Sequence, residues 1–85
     1  MSVLVFYREN SEHARSVTEF LRDFKHRTAK SLEELSPDSK RGAELAALYD
    51  IVEYPSIVAT TDDGELRFLW RGLPLPTIDE VSYYA

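Results

Sequence analysis

The chain contains no cysteine. That absence removes the disulfide, the thiolate nucleophile and any cysteine-bound zinc or iron–sulfur cluster, while saying little about compartment. An excess of basic residues is also lacking. The formal net charge is −5, and lysines and arginines are interleaved with acids, as in Arg22-Asp23-Phe24-Lys25. Nucleic acid needs a positive footprint, so it is not an expected partner. Residues 3–7 form an apolar run far too short for a signal-peptide core or a membrane span, and no basic segment precedes it. The expectation is a soluble, cytoplasmic protein with no membrane partner. Repeats, low-complexity tracts and long linkers are absent too, and Leu73-Pro74-Leu75-Pro76 reads as a short connection inside the domain.

What is present argues for a packed core. The 85 residues are 44% apolar and 12% aromatic, enough for one small domain over residues 1–85 and too few for two. Val3-Leu4-Val5-Phe6-Tyr7 is a continuous apolar run, largely β-branched and aromatic, which fits a central strand covered on both faces. Ser11 is placed to cap a helix in which Ala14, Val17, Phe20, Leu21 and Phe24 recur at helical spacing, ending near His26. Residues 28–35 carry a weaker pattern anchored by Leu32 and Leu35 and read as an edge strand parallel to the first. Ser36-Pro37-Asp38 reads as the start of a second helix, weakened by Gly42 and running to Tyr49. Two strands, residues 56–61 and 65–71, flank the turn Asp62-Asp63-Gly64 as a hairpin. Thr77-Ile78-Asp79-Glu80 then matches a capping box opening a short last helix. The order is β-α-β-α-β-β-α.

The stretch around which the rest is organised is Leu48-Tyr49-Asp50-Ile51-Val52-Glu53-Tyr54-Pro55-Ser56-Ile57-Val58-Ala59. Proline lacks an N–H and restricts its predecessor to extended geometry, so Pro55 suits the opening of a buried strand. This stretch resembles the one leading into the cis-proline strand of thioredoxin-like domains. Phe6-Tyr7-Arg8-Glu9-Asn10-Ser11-Glu12-His13-Ala14-Arg15 is similar in placement to the aromatic strand end, loop and Cys-x-x-Cys helix start of thioredoxins. The resemblance covers nearly the whole chain. It implies an α/β, minimal thioredoxin-like fold lacking the first strand and helix, with a four-stranded mixed sheet flanked by helices. It also implies a cis Tyr54-Pro55 bond.

On this resemblance Ser11 and Ala14 fall where the family has its two cysteines. A serine hydroxyl is far less ionised than a thiol and alanine has no reactive atom, so the family's redox activity does not carry over. What carries over is the neighbourhood. In the family the residue before the proline offers backbone hydrogen bonds to an extended substrate, and Tyr54 holds that place. The related glutaredoxins bind glutathione partly through a Gly-Gly segment. Gly72-Leu73-Pro74-Leu75-Pro76 replaces it here, and glutathione is not an expected ligand.

The residues offer few sites of independent chemistry. A Ser11 nucleophile with His13 as base is disfavoured, because residues two apart on a helix face different ways and a capping hydroxyl is already engaged. His13 with Glu9 or Glu12 lacks a second nearby histidine, so a solvated His13 is expected and no metal. Asp62-Asp63-Gly64 has hairpin-tip chemistry rather than calcium-loop spacing. No catalytic residue and no cofactor are assigned, and the chain is not read as an enzyme. Trp70 and Tyr83-Tyr84 are either edges of the core or a recognition surface. Two functions remain. One is a redox-inactive binding module that docks an extended peptide or partner protein beside Arg8, Asn10, Ser11, His13, Tyr54 and Pro55, accepting a neutral or basic segment with a weak preference for basic ones, because Glu9, Glu12 and Glu53 surround the site with Arg8 as their main counterweight. The other is an assembly protein that forms a homodimer through a sheet edge or an aromatic patch.

Overall fold

The computed structural model describes residues 2–85. The elements are β1 (Ser2–Phe6), α1 (Ala14–Thr28), β2 (Glu33–Leu35), α2 (Lys40–Leu48), β3 (Ser56–Thr60), β4 (Leu66–Arg71) and α3 (Ile78–Ser82), in the order read from the sequence. They form a four-stranded sheet ordered β2-β1-β3-β4. β1 pairs in parallel with β2 and antiparallel with β3, and β3 pairs antiparallel with β4. Among the described residues, no helix is long and apolar enough to cross a membrane.

The unbroken apolar character of β1 and β3 follows from this topology. Both strands lie in the middle of the sheet, so successive side chains enter cores on opposite faces. Val3, Val5, Ile57 and Ala59 meet Val17 and Phe24 of α1 and Val81 of α3 on one face. Leu4, Phe6 and Val58 meet Leu35, Ala46 and Ile51 on the other. Fully burying a side chain of this size contributes roughly 1.5–3 kcal/mol, which makes the β1–β3 pair the main source of stability.

Helix ends differ from the sequence reading in instructive ways. α1 begins at Ala14 with His13 in the capping position and no side-chain cap; Ser11 is not the cap, because its hydroxyl donates to the Arg8 carbonyl at 2.5 Å. At the other end α1 runs two residues beyond His26, closed by Ala29 in the left-handed region (φ 60°), whose N–H donates to the Lys25 carbonyl. Thr28 thus belongs to the helix, and the edge strand expected over residues 28–35 is confined to Glu33–Leu35. α2 is capped by Ser39, not by the Ser36-Pro37-Asp38 turn, and the Ser39 hydroxyl accepts from the Gly42 N–H at 2.9 Å. Gly42 itself is required rather than merely tolerated: a Cβ there would collide with the Ser36 carbonyl. The capping box of α3 forms with both of its bonds, Thr77 with Glu80. Tyr54-Pro55 and Leu73-Pro74 are both cis peptides.

Candidate functional site

β1 is followed directly by the buried Tyr7, and the chain emerges at Arg8. The loop then curls around the Arg8 backbone. The Arg8 N–H donates to His13 Nε2 at 3.2 Å, and the Arg8 carbonyl accepts the Ser11 hydroxyl. The Arg8 side chain is thereby aimed away from its own loop. Its guanidinium lies 4.9 Å from the centroid of the Tyr54 ring and donates to Asp38 through Nε at 3.2 Å and Nη2 at 3.5 Å. An exposed cation–π contact contributes about 0.5–1 kcal/mol and an exposed ion pair about 0–1 kcal/mol, so the assembly is modest in energy. Its effect is geometric: one side chain ties together the loop after β1, the turn before α2 and the turn before β3.

Tyr7 and His13 stand behind this layer, ring centroids 6.5 Å apart and edge to face. The Tyr7 hydroxyl donates to Glu34 Oε1 at 2.8 Å. Burial first, then this bond and the negative charges of Glu34 and Glu9, push its pKa up to about 12. His13 is half-buried, and its pKa is lowered by that burial and by the positive charge of Arg8. A neutral Nε2 is what the Arg8 N–H requires as an acceptor. His13 is therefore not the solvated histidine expected from the sequence.

The opposite wall is the 52–55 turn. Tyr54 is half-buried, packs against the α2-side core and donates its hydroxyl to the Ile51 carbonyl at 3.4 Å. Pro55 is fully buried and its carbonyl accepts the Gly72 N–H at 2.7 Å, so its ring is internal and offers no surface to a partner. Val52 is 85% exposed. Among the described residues, neither the N–H nor the C=O of Tyr54 has a hydrogen-bond partner. Gly72, at φ 65°, completes the wall; a side chain there would run into the Glu53 carboxylate.

Of the residues singled out in the sequence, Arg8 and Tyr54 touch one another and Pro55 supports Tyr54 from within. Ser11 and His13 act on the Arg8 backbone, with no hydrogen bond or ring contact to Tyr54 among the described residues, while Asn10 lies exposed beside Arg8, Glu9 and Asp38. Asp38 and Val52 were missed. Asp38 sits in a turn that reads only as a helix start, and nothing local signals a partner 30 positions earlier. Among the described residues, no group of three or more His, Asp or Glu side chains is placed to hold a metal ion.

No family model and no curated protein matches the sequence. Among solved structures the chain is similar to thioredoxin 1 from the thermophilic eubacterium Thermosipho africanus, with a TM-score of 0.66 and 11% identity over 99% of this chain and 89% of that one. It is also similar to a designed protein, with a TM-score of 0.65 and 24% identity over 98% of this chain and 70% of that one. At such identities the likeness establishes the fold, which is thioredoxin-like. The absence of cysteine means that this fold operates here without any thiol.

Proposed function

We propose that the chain is a redox-inactive, thioredoxin-like binding module that docks an extended peptide or protein segment beside Tyr54. The observation that carries this reading is the unpartnered backbone of Tyr54, an N–H and a C=O available together at a sheet end. An extended segment binds such a ledge by main-chain hydrogen bonds, and side-chain shoulders then supply selectivity. Val52 offers an apolar shoulder on one side of Tyr54 and the Arg8–Tyr54 stack a flat one on the other. Charge selects the partner. Asp38 offsets Arg8, which leaves Glu9, Glu12 and Glu53 to set the local potential, so a basic segment is preferred and an anionic ligand such as glutathione is disfavoured.

Self-association through a sheet edge has less support. The β2 edge has three residues, two of them glutamates. The β4 edge is interrupted by a bulge, since Ala59 pairs with Phe68 and Thr60 with Leu66, leaving Arg67 as the extra residue. Short, charged and bulged edges resist pairing with another strand.

Titrating a basic extended peptide into isotope-labelled protein tests the proposal. Amide shifts are expected at residues 8–14 and 52–56, weaker with an acidic peptide of equal length. Shifts confined to Trp70, Tyr83 and Tyr84, or none at all, would rule the site out.

A further inference from the structure

On the α1 and α3 side of the sheet, a cavity of about 260 Å³ is lined by Phe68, Trp70, Glu80, Tyr83 and Tyr84. Four of these five side chains are aromatic and the fifth is a carboxylate. Tyr84 is the floor: it contacts Phe68 at 5.9 Å, Trp70 at 5.6 Å and Tyr83 at 5.1 Å between ring centroids. Phe68 and Trp70, 4.7 Å apart, form one wall. Tyr83 forms the other, and its only ring contact among the described residues is with Tyr84, so the two walls stand apart. Glu80 lies at the recess with its Oε1 occupied by the capping box, accepting from the Thr77 N–H and hydroxyl, while its Oε2 has no partner among the described residues. Among the described residues, no basic side chain lines the recess.

We propose that this recess binds a methylated ammonium group. Aromatic faces carry negative charge density and attract a cation held over them, and here they are joined by one free carboxylate oxygen. Methylation matters because an unmodified ammonium is strongly hydrated and brings three donors that need acceptors, whereas Glu80 Oε2 is one acceptor. A fully methylated ammonium brings none and loses little by leaving water. The exposure of Tyr83, 77%, and of Phe68, 45%, leaves the mouth of the recess accessible. This site is independent of the Tyr54 ledge, because Trp70 packs against the α1-side core and Tyr54 against the α2-side core.

Trp70 is the single tryptophan, so its fluorescence and indole N–H resonance report on the recess directly. The probe is tetramethylammonium chloride, titrated at constant ionic strength against sodium chloride, with neutral 3,3-dimethyl-1-butanol compared against choline. A saturable response to the cation is expected, with choline binding more tightly than its neutral isostere. Tyr83→Ala removes an exposed wall and should weaken binding about three- to tenfold. Glu80→Gln keeps the capping box, since glutamine serves at that position, and should weaken binding while the melting temperature stays near that of the parent. A peptide carrying trimethyllysine, compared with free choline, distinguishes a modified protein from a small molecule as the source of the group. An unsaturable response, equal binding of the neutral isostere, or indifference to both substitutions would overturn the proposal.

Discussion

Gly42→Ala should destabilise the domain, although helix propensity alone says the reverse. In an ordinary helix the change gains about 1 kcal/mol, because alanine loses less backbone entropy than glycine on folding. Gly42 is in the first turn of α2, and its missing Cβ is where the Ser36 turn crosses the helix. A methyl carbon would lie inside contact distance of the Ser36 carbonyl oxygen, 2.7 Å from the Ser36 carbonyl carbon and 2.8 Å from Ser39 Oγ. Backbone cannot yield as a flexible side chain does, so residues 36–39 must move. Three hydrogen bonds depend on their position: Ser39 Oγ from the Gly42 N–H at 2.9 Å, and the Ser36 carbonyl from the Ser39 N–H at 3.1 Å and hydroxyl at 2.8 Å. A lost cap costs about 1 kcal/mol and each further bond about 0.5–1.5 kcal/mol, so the change remains unfavourable by roughly 1–3 kcal/mol after the propensity gain. For a domain of this size that lowers the melting temperature by on the order of 10 °C. Circular dichroism melts of Gly42→Ala beside Ser39→Ala, which removes the cap without inserting a methyl, give the measurement. The alanine variant at 42 should fall further than the one at 39. A Gly42→Ala protein as stable as the parent would refute the close-approach explanation. The same turn carries Asp38, so the variant should also loosen the Arg8–Tyr54 contact.

Three further outcomes are expected. With no thiol in the chain, the protein should reduce no disulfide substrate and its melting temperature should not respond to reductant; reductase activity in a homogeneous sample would contradict this. Tyr7 should ionise well above the ordinary tyrosine value, at about 12. Because its folded pKa lies above the unfolded value of about 10, its contribution is complete below that pH and is lost as pH rises toward 12, a loss absent in Tyr7→Phe and visible by ultraviolet titration and alkaline melts. His13 should titrate below its ordinary value of about 6.5, so the stability it contributes is present above that pH and is lost on acidification; imidazole shifts by NMR check the direction, and a value above 6.5 would show that the Arg8 N–H bond is not made.

Most of the fold was legible because its signals are local. The apolar runs of β1 and β3, the spacing of Val17, Phe20, Leu21 and Phe24, and the Thr77–Glu80 pair each identify an element without knowledge of the rest. Helix starts were less legible. Ser11, Ser36 and Ser39 are all chemically able to cap, and the choice among them rests on where the loop carbonyls lie, which is a tertiary matter. Gly42 shows the same limit, since its meaning comes from a turn packed across it. In the candidate site, Tyr54 and Arg8 could be named from position in the chain, but Asp38 could not. A 30-residue separation leaves no periodicity to read, and an ion pair of that kind is visible only once α1 and β2 have brought the two turns together.

The claim on which the functional reading depends is that the Tyr54 main chain is an open docking ledge. Amide hydrogen exchange at Tyr54 tests it most directly, because an amide without a partner exchanges rapidly and one paired to a bound segment does not. In the free protein the Tyr54 N–H should exchange among the fastest amides of the turn, and saturation with a basic extended peptide should slow it while the Gly72 N–H, already bonded to Pro55, changes little. Protection of Tyr54 in the free protein, or no slowing at saturation, would contradict the proposed mode of binding.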